Sequence, residues 1–368
     1  MYKITRFNET MTSRERVRNT FAYQPTDRVP VNYLSNPTVN KKIMEAMGLA
    51  GDEQGFLEAL GVDYRCAFVR YVGPLIYKEI PGLNVDKLTG FYTKWVPNEF
   101  GGYNDFCNFP LKDASDEEIA AHKFPSPDDF DYDSALNAIK SYDKTHEYAI
   151  YCGHASIGDM INSTGFIMGM EDSFVGIATE NPAVLDLIDR KHAMDFGIME
   201  RILDKTKGRI DFLWLGEDLG TQHSPLISAD LYQRVFRPRH QKFVDLAKSH
   251  NIPVMIHTCG ASSWVYEDLI EMGMTAVDTL QPEAAGMSPE ELVKNFGGRL
   301  SFHGCISTAG PLAYGTADET AEYCKRTLDI MKANGGYHFS PTHAIQDNTP
   351  IENLVAMYQA AHDFGRCM

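Results

Sequence analysis

The sequence is poor in positive charge and has no long apolar run. Lys and Arg total 34 against 50 Asp and Glu, which gives a net charge of −16. Without a basic run, the chain has no surface for nucleic-acid phosphates or an anionic membrane, so neither is expected as a partner. No segment approaches the roughly 20 apolar residues of a membrane helix. The polar N-terminus "MYKITRFNETMTSRERVRNTF" lacks the apolar core of a signal peptide. We therefore expect a cytoplasmic protein.

Paired cysteines are also absent. The seven cysteines are dispersed, and none forms a Cys-x-x-Cys pair. An odd, scattered set in a long chain argues against a disulfide framework and favours free thiols. Cys259 is then available as a ligand or a nucleophile. The composition, 43% hydrophobic and 23% charged, is that of an ordinary globular protein.

Eight short apolar segments predict buried strands. They are "VPVNYL", "VDYRCAFVRYV" (62–72), "YAIYCGH" (148–154), "IDFLWLGEDLG" (210–220), "IPVMIHTCG" (252–260), "AVDTLQPE" (276–283), "RLSFHGCIST" (299–308) and "GYHFSPTHAI" (336–345). Helical patterns with Ser or Thr caps lie between the later strands, for example "SPEELVKNFG" and "TADETAEYCKRTLDIMKANG". Alternating strands and helices predict parallel βαβ units.

The number of strands favours a closed barrel. No Gly-x-Gly-x-x-Gly follows an early strand, which argues against a dinucleotide-binding fold. We predict an α/β protein, a (β/α)8 TIM barrel forming one domain over residues 1–368. Residues 73–147 are too long and irregular for an ordinary loop. We interpret them as an insertion after the second strand that covers one end of the barrel.

Polar side chains gather at the predicted carboxyl ends of the strands, where the active sites of such barrels lie. Strand four ends in Glu217 and Asp218, strand five in His257 and Cys259, strand six in Gln281 and Glu283, strand seven in His303 and Cys305, and strand eight in Thr342 and His343. Neighbouring strands thus aim ligand-type side chains at one mouth.

His257 and Cys259 are two residues apart on a strand, so their side chains share a face. An imidazole and a thiol suit Zn²⁺, and a catalytic zinc takes about three protein ligands and keeps one position open. The third ligand is left open among His343, Cys305, Glu217 and Glu283. His343 is favoured because its segment closes the barrel, and Glu217 because strands four and five are neighbours.

Each residue also has a structural interpretation. Cys is often a small core residue and His a hydrogen-bonded buried one. Cys305 lies in a tightly turned segment and is interpreted as a packed thiol, with His303 structural as well. Glu217 and Asp218 are adjacent and face opposite ways, so at most one points into the mouth.

Three segments resemble the uroporphyrinogen decarboxylase superfamily. "MTSRERVRNTFAYQPTDRVPV" is similar to its opening, "LGEDLGTQHSPLISADLYQRVFRPRHQKFVDLAKSHNIPVMIHTCG" to its fourth and fifth strand region, and "YHFSPTHAIQDNTPIENLVAMYQAA" to its closing strand. The resemblance covers nearly the whole chain and is loosest over 73–147. It implies a (β/α)8 barrel. Barrels of this family often pair, so a homodimer is an open alternative to a monomer.

The motifs are most similar to the zinc-dependent corrinoid and coenzyme M methyltransferase branch. Where decarboxylases carry an Arg-Gln-Ala-Gly-Arg segment for substrate carboxylates, this chain has "NYLSNPTVNKK", without arginine. The His-x-Cys-Gly after strand five resembles the methyltransferase motif, which implies that His257 and Cys259 are zinc ligands. Those enzymes typically add a Cys on the last strand, where this chain has His343.

The resemblance implies methyl transfer between a small methylated substrate or thiol (methoxy compound, methylamine, methanol) and a corrinoid protein. The expected zinc ligands are His257 and Cys259, together with His343 or Glu283. The residue expected to transfer the accompanying proton is Asp218, Glu217 or His343. Two alternatives stay open: a metal-free decarboxylase-like lyase that uses His343 and Asp218, and a non-catalytic ligand-binding member of the superfamily.

Overall fold

A computed structural model describes residues 1–143 and 147–367. The strands are β1 (Tyr64–Cys66), β2 (Arg70–Tyr71), β3 (Asn84–Val85), β4 (Tyr92–Asn98), β5 (Gly101–Cys107), β6 (Phe130–Asp131), β7 (Ala149–Gly153), β8 (Phe212–Gly216), β9 (Val254–Thr258), β10 (Ala276–Thr279), β11 (Ser301–Ile306) and β12 (Tyr337–Pro341). Seven of these form one parallel sheet in the order β1-β7-β8-β9-β10-β11-β12. Consecutive neighbours of this kind require a crossover helix between each pair.

Helices supply these crossovers and cover the outside of the sheet. They are α1 (Ser13–Phe21), α2 (Pro37–Met47), α3 (Glu53–Leu60), α4 (Asp116–Ala121), α5 (Tyr132–Tyr142), α6 (Ile161–Met168), α7 (Met170–Ala178), α8 (Pro182–Thr206), α9 (Ala229–Leu231), α10 (Arg237–Ser249), α11 (Tyr266–Met272), α12 (Pro289–Phe296), α13 (Pro311–Tyr314), α14 (Ala317–Met331) and α15 (Ile351–Phe364). None of them, within the described part of the chain, is long and apolar enough to cross a membrane.

Residues 29–32 close the sheet into a barrel. Val31 forms a parallel bridge with Phe339 of β12. On its other side, its carbonyl accepts a hydrogen bond from the backbone N–H of Asp63, next to β1. The segment therefore lies between the last and the first strand of the sheet and occupies the eighth strand position of the barrel. The predicted (β/α)8 barrel is confirmed.

The predicted second strand, 62–72, is shorter than expected. Only β1 belongs to the barrel, while β2 pairs antiparallel with β6. Along the chain, the three strands of the antiparallel sheet β3-β4-β5 come between β2 and β6. Phe106 of this sheet stacks on Phe166 of α6, with ring centroids 4.0 Å apart.

The range predicted for the insertion, 73–147, is too broad at its end. Helix α5 packs against α8 and is the crossover helix that leads to β7. The irregular segment is thus residues 67–131, and residues 144–146 of the predicted range lie outside the described residues.

The predicted caps are present at the later helices. Ser228, Ser288 and Thr316 each accept a hydrogen bond from a backbone N–H three residues on, at α9, α12 and α14. Between α9 and α10 the helix widens into a π-turn, Tyr232–Phe236. Pro238 is the second residue after this turn and lies in the first turn of α10. Because proline cannot donate an N–H and its ring crowds the preceding turn, the wider turn accommodates it without ending the helix.

Two apolar layers build the core. Aromatic side chains fill the barrel interior, among them Tyr64, Phe212 and Trp214, with Met255. The larger layer lies between the outer faces of the strands and the helices. The helices thus hold the strands from outside, and the side chains at the carboxyl ends of the strands are free to form a site.

Candidate metal centre

Asp218, His257 and Cys259 come together at the mouth of the barrel. Among the residues that the structure describes, they are the one group of three or more metal-type side chains whose ligand atoms all lie within 4.8 Å of one another. His257 Nε2 lies 3.4 Å from Cys259 Sγ and 3.7 Å from Asp218 Oδ1. His257 is the next-to-last residue of β9, and Asp218 and Cys259 belong to the loops that follow β8 and β9, the fourth and fifth strands of the barrel.

Two glycines allow those loops to approach each other. Gly260 has a φ of +73°, and a Cβ there would lie 2.3 Å from the carbonyl oxygen of Gly220. A Cβ on Gly220 would lie 2.4 Å from the backbone nitrogen of Ala261. Larger side chains would therefore force the loops apart, and Asp218 would move away from Cys259.

Hydrogen bonds fix the Asp218 carboxylate. Its Oδ1 accepts from the backbone N–H of Cys259 at 2.9 Å, and its Oδ2 accepts from Asn162 Nδ2 at 2.8 Å. Burial raises the pKa of Asp218, but the charge of His257 and the Cys259 N–H outweigh it, so the pKa lies below its ordinary value. Asp218 is accordingly an anion at neutral pH.

A second carboxylate orients His257. Asp278 Oδ2 accepts a hydrogen bond from His257 Nδ1 at 2.8 Å, and its Oδ1 accepts from His303 Nδ1. Asn32 Nδ2 lies 3.0 Å from the other ring nitrogen of His303. Since a carboxylate only accepts, His257 carries a proton on Nδ1, and Nε2, which faces Asp218 and Cys259, is the ring nitrogen that a metal would bind.

The backbone at Thr279, beside His257 and Asp278, is strained. Thr279 has a φ of +88°, which is rare for a β-branched residue. Its Oγ1 lies 2.7 Å from His257 Nδ1. The left-handed conformation thus places a hydroxyl beside the imidazole, and strain of this kind persists where the surrounding structure enforces it.

The surroundings also shift the pKa values of the His257 imidazole and the Cys259 thiol. Burial lowers the pKa of His257, but the hydrogen bond to Asp278 and the contact with Cys259 outweigh it, so the pKa lies well above its ordinary value. Burial raises the pKa of the Cys259 thiol, and the nearby His257 only partly offsets this. A metal ion would displace the protons from both groups, because ligands must be deprotonated to bind.

The donor set fits zinc. Zn–N and Zn–O bonds of about 2.0–2.2 Å and a Zn–S bond of about 2.3 Å put tetrahedral ligand atoms roughly 3.3–3.6 Å apart. The separation of 3.4 Å between His257 Nε2 and Cys259 Sγ lies within this range, and that of 3.7 Å between His257 Nε2 and Asp218 Oδ1 lies just above it. Three protein donors also leave one tetrahedral position for a substrate, as catalytic zinc sites do.

The other predicted ligands lie elsewhere. In the group of three, Asp218 lies beside His257 and Cys259, while His343 and Glu283, the ligands expected from the sequence, are outside the group. Glu283 is exposed and accepts a hydrogen bond from Ser307 Oγ. His343 is exposed at the mouth, and its pKa is lowered by partial desolvation and by the charge of His257, so the ring lies near the site without joining the group.

Glu217 faces away from the mouth. It is fully buried, and its carboxyl oxygens accept from the backbone N–H groups of Met160 and Ile161 at 2.9 and 3.1 Å. Burial raises its pKa to about 8. This agrees with the expectation that at most one of Glu217 and Asp218 points into the mouth. The proton-transfer role predicted for Glu217 finds no support in this position.

Cys305 and His303 are buried, as the structural interpretation predicted. Cys305 does not join the metal group, and burial raises the pKa of its thiol. Sequence reasoning missed Asp278 and Asn162. Asp278 had a signal, since a carboxylate inside an apolar strand needs a partner, whereas Asn162 had none.

Comparison with known proteins agrees with this architecture. Residues 218–364 match the sequence model of the family described as uroporphyrinogen decarboxylase (URO-D). This part of the chain is therefore similar to the uroporphyrinogen decarboxylase family. No curated protein sequence matches it.

Among solved structures, the chain is similar to a methyltransferase from Methanosarcina mazei, with a TM-score of 0.62 and 16% identity over 96% of this chain and 99% of that one. A B12-independent methionine synthase from Shewanella sp. W3-18-1 gives a TM-score of 0.39 at 10% identity, covering 91% and 92% of the two chains. A D-psicose 3-epimerase gives 0.37 at 13% identity, covering 68% and 84%. The first likeness shows the shared fold, and the other two are too distant to support an inference.

Proposed function

We propose that this protein is a zinc-dependent methyltransferase that moves a methyl group between a small methylated substrate (a methoxy compound, methylamine, methanol or thiol) and a corrinoid protein. The observation that carries the proposal is the convergence of an imidazole nitrogen, a thiol and a carboxylate at the barrel mouth. The fold shared with the Methanosarcina mazei methyltransferase supports it.

The residues that would hold zinc are His257, Cys259 and Asp218. When bound, zinc supplies Lewis acidity, which stabilises a departing oxygen or nitrogen anion or lowers the pKa of a thiol acceptor. Asp278 keeps the Nδ1 proton on His257, and Asn162 holds the Asp218 carboxylate in place. These outer contacts fix ligand orientation before a metal or substrate arrives.

His343 is the side chain placed to exchange a proton with the substrate. It is exposed at the mouth, and partial desolvation and the charge of His257 lower its pKa, so it is neutral near pH 7. A neutral imidazole accepts the proton of a thiol substrate. The corrinoid partner, a cytoplasmic location and the homodimer stay predictions from the sequence.

The test is the metal content of protein purified without a His tag or added metal, for wild type and Cys259→Ala. We expect about one zinc per chain in wild type and loss of that zinc in the variant. Methyl transfer is then followed by the absorbance change of cobalamin, with each class of donor and with thiols. Cys305→Ala, which removes a buried thiol outside the group, is the matched control and should keep its zinc.

Other outcomes favour the alternatives. Absence of metal in both proteins would favour a metal-free lyase with acid–base chemistry by Asp218 and His343. Bound zinc and bound ligand without turnover in any assay would favour a non-catalytic binding protein.

A further inference from the structure

Three neighbouring strands of the barrel place His257, Asp278 and His303 side by side. In the register of the sheet, Asp278 of β10 lies opposite His257 of β9 on one side and opposite His303 of β11 on the other. The Asp278 carboxylate accepts a hydrogen bond on each oxygen, from His257 Nδ1 at 2.8 Å and from His303 Nδ1. The second ring nitrogen of His303, Nε2, therefore decides whether Asp278 meets a neutral imidazole or an imidazolium.

The side chain of Asn32 contacts that second nitrogen. Asn32 is buried and belongs to the segment 29–32, which occupies the eighth strand position of the barrel. Its Nδ2 lies 3.0 Å from His303 Nε2, and its Oδ1 accepts a hydrogen bond from the backbone N–H of Tyr33 at 2.8 Å. Because a backbone N–H only donates, the amide oxygen must lie on that side, and the amide nitrogen must face the imidazole.

The backbone of Asn32 is held on both sides as well. Its N–H donates to the carbonyl of Phe339 on β12 at 2.9 Å, and its own carbonyl accepts from Tyr358 Oη at 2.8 Å. Reversing the amide would set its Nδ2 against the Tyr33 N–H, and two donors in a buried site would lose their acceptors. The Asn32 amide therefore donates to His303 Nε2, and that nitrogen carries no proton.

The other neighbours of His303 do not compete for its ring nitrogens. The ring of Tyr64 meets that of His303 edge to face with centroids 5.9 Å apart, and the ring of His338 lies 6.1 Å away. Tyr64 Oη and His338 Nδ1 are hydrogen-bonded to each other at 2.5 Å. Within the described part of the chain, the ring nitrogens of His303 are thus hydrogen-bonded to Asp278 and Asn32 alone.

A neutral His303 leaves the charge of Asp278 available to His257. An imidazolium in the same place would form an ion pair with Asp278 and offset its negative charge. Beside a neutral donor, the carboxylate instead strengthens the hydrogen bond from His257 Nδ1. It thereby makes His257 Nε2, the nitrogen that faces Asp218 and Cys259, a better metal ligand.

We propose that Asn32 is a positioning residue of the metal centre, whose amide keeps His303 a neutral donor so that Asp278 retains its full negative charge toward His257. This inference rests on the proposed zinc site and adds Asn32 and His303 to the residues that support it. The segment that closes the barrel then takes part in the chemistry as well as in the fold.

The first experiment determines the tautomer of His303 in metal-free wild type. Protein labelled with nitrogen-15 at histidine is studied by NMR at pH 7, and the signals of His303 are assigned from their loss in His303→Gln. We expect a protonated Nδ1 and an unprotonated Nε2. A protonated Nε2 would overturn the proposal, whatever reaction the protein catalyses.

Matched variants of Asn32 separate charge from packing. In Asn32→Asp a carboxylate of the same shape accepts from His303 Nε2, so both ring nitrogens should be protonated. Its zinc affinity, measured by competition with a chromogenic chelator, should fall several-fold. Asn32→Leu fills a similar volume without a donor or an acceptor, so His303 should stay neutral and zinc affinity should stay closer to that of wild type. Asn295→Asp adds the same charge at an exposed position of α12 and should change neither property.

Two results with these variants contradict the role of Asn32. Equal losses of zinc affinity in Asn32→Asp and Asn32→Leu would assign the effect to packing. An imidazolium at His303 in Asn32→Asp, together with the zinc affinity of wild type, would show that the charge of His303 does not reach His257.

Zinc binding and turnover separate this inference from the proposed function. A loss of zinc affinity confined to Asn32→Asp, without methyl transfer in any assay, would overturn the proposed function and retain the role of Asn32. Methyl transfer by a wild type whose His303 Nε2 is protonated would do the reverse.

Discussion

Asp278 shows how one side chain fixes the chemistry of its neighbour. It lies opposite His257 in the register of β9 and β10, and it holds the Nδ1 proton of that imidazole. Asp278→Asn keeps the shape but removes the charge that orients the ring. We expect zinc affinity to fall about 10- to 100-fold, as measured by competition with a chromogenic chelator.

The matched control for this change is Cys305→Ala. Both side chains are buried in the barrel, but Cys305 does not join the metal group. The zinc affinity of the Cys305→Ala variant should equal that of wild type. If Asp278→Asn bound zinc as tightly as wild type, the carboxylate would have no part in orienting His257.

A second residue-scale prediction concerns the third ligand. Asp218→Ala should lose zinc to roughly the extent of Cys259→Ala, because a site with two protein ligands binds weakly. His343→Ala and Glu283→Gln should each retain about one zinc per chain, since neither side chain belongs to the group of three. Elemental analysis of the four proteins decides this. Loss of zinc in His343→Ala with retention in Asp218→Ala would restore the ligand set expected from the sequence.

The sequence predicts part of this site for a physical reason. The alternation of side chains along a strand places His257 and Cys259 on one face, and that period is independent of the rest of the fold. Asp218 joins them through the close approach of Gly220 and Gly260, which depends on how two loops pack. Such contacts between loops distant in sequence have no local pattern, so the third ligand could not be predicted.

Helix α1 is an element held by buried charge. Arg16 pairs with Asp27 at 2.7 Å and with Asp63 at 2.5 Å, and Arg28 also pairs with Asp63 at 2.7 Å. Asp63 precedes β1, and Arg28 precedes the closing segment 29–32. The network therefore ties the helix to the first two strands of the barrel, where isolated bridges to β12 and a hydrogen bond beside β1 close the ring.

This network makes stability depend on acid pH. Burial alone raises the pKa of Asp27, but hydrogen bonds from Arg16 and the Thr10 N–H lower it from 3.8 to about 2. A lowered folded-state pKa gives stability that is complete above the unfolded value and is lost as the pH falls toward 2. Asp27→Asn should cost about 2 kcal/mol at pH 7, and about half as much at pH 3. Urea denaturation at both pH values measures the difference.

The control for Asp27 is an exposed ion pair. Asp128 pairs with Arg201 at 2.6 Å, but its side chain is 79% exposed. Asp128→Asn should change the free energy of unfolding little at either pH, because solvent screens the pair. A loss in Asp27→Asn that did not shrink at pH 3 would mean that packing, rather than charge, explains it.

Elements were predicted best where a pattern determines both type and length. Ser and Thr caps mark α12 and α14 because a cap needs only local residues. The apolar run 62–72 looked like one strand, yet β1 and β2 pair with different partners. Hydrophobicity shows that a segment is buried and gives no information on which strand it pairs with.

At the scale of the whole molecule, alternation of strands and helices was sufficient to predict the barrel. Right-handed βαβ connections leave few arrangements for eight consecutive parallel strands, so the order along the sheet follows the order along the chain. No such rule determines the position of the small antiparallel sheet β3-β4-β5. Its position depends on side-chain contacts such as that between Phe106 and Phe166.

A metal held by loops of the barrel should stabilise the entire fold. Zinc at about 100 times its dissociation constant contributes about 2.7 kcal/mol, if only the folded state binds it. For a chain of 368 residues, with an unfolding entropy of about 2.1 cal/mol/K per residue, this corresponds to a shift of about 3.5 °C in Tm. Scanning calorimetry of wild type before and after removal of zinc by a chelator should show this decrease. Cys259→Ala should melt at one temperature under both conditions. A decrease of the same size in Cys259→Ala would place the stabilising metal outside the group of Asp218, His257 and Cys259.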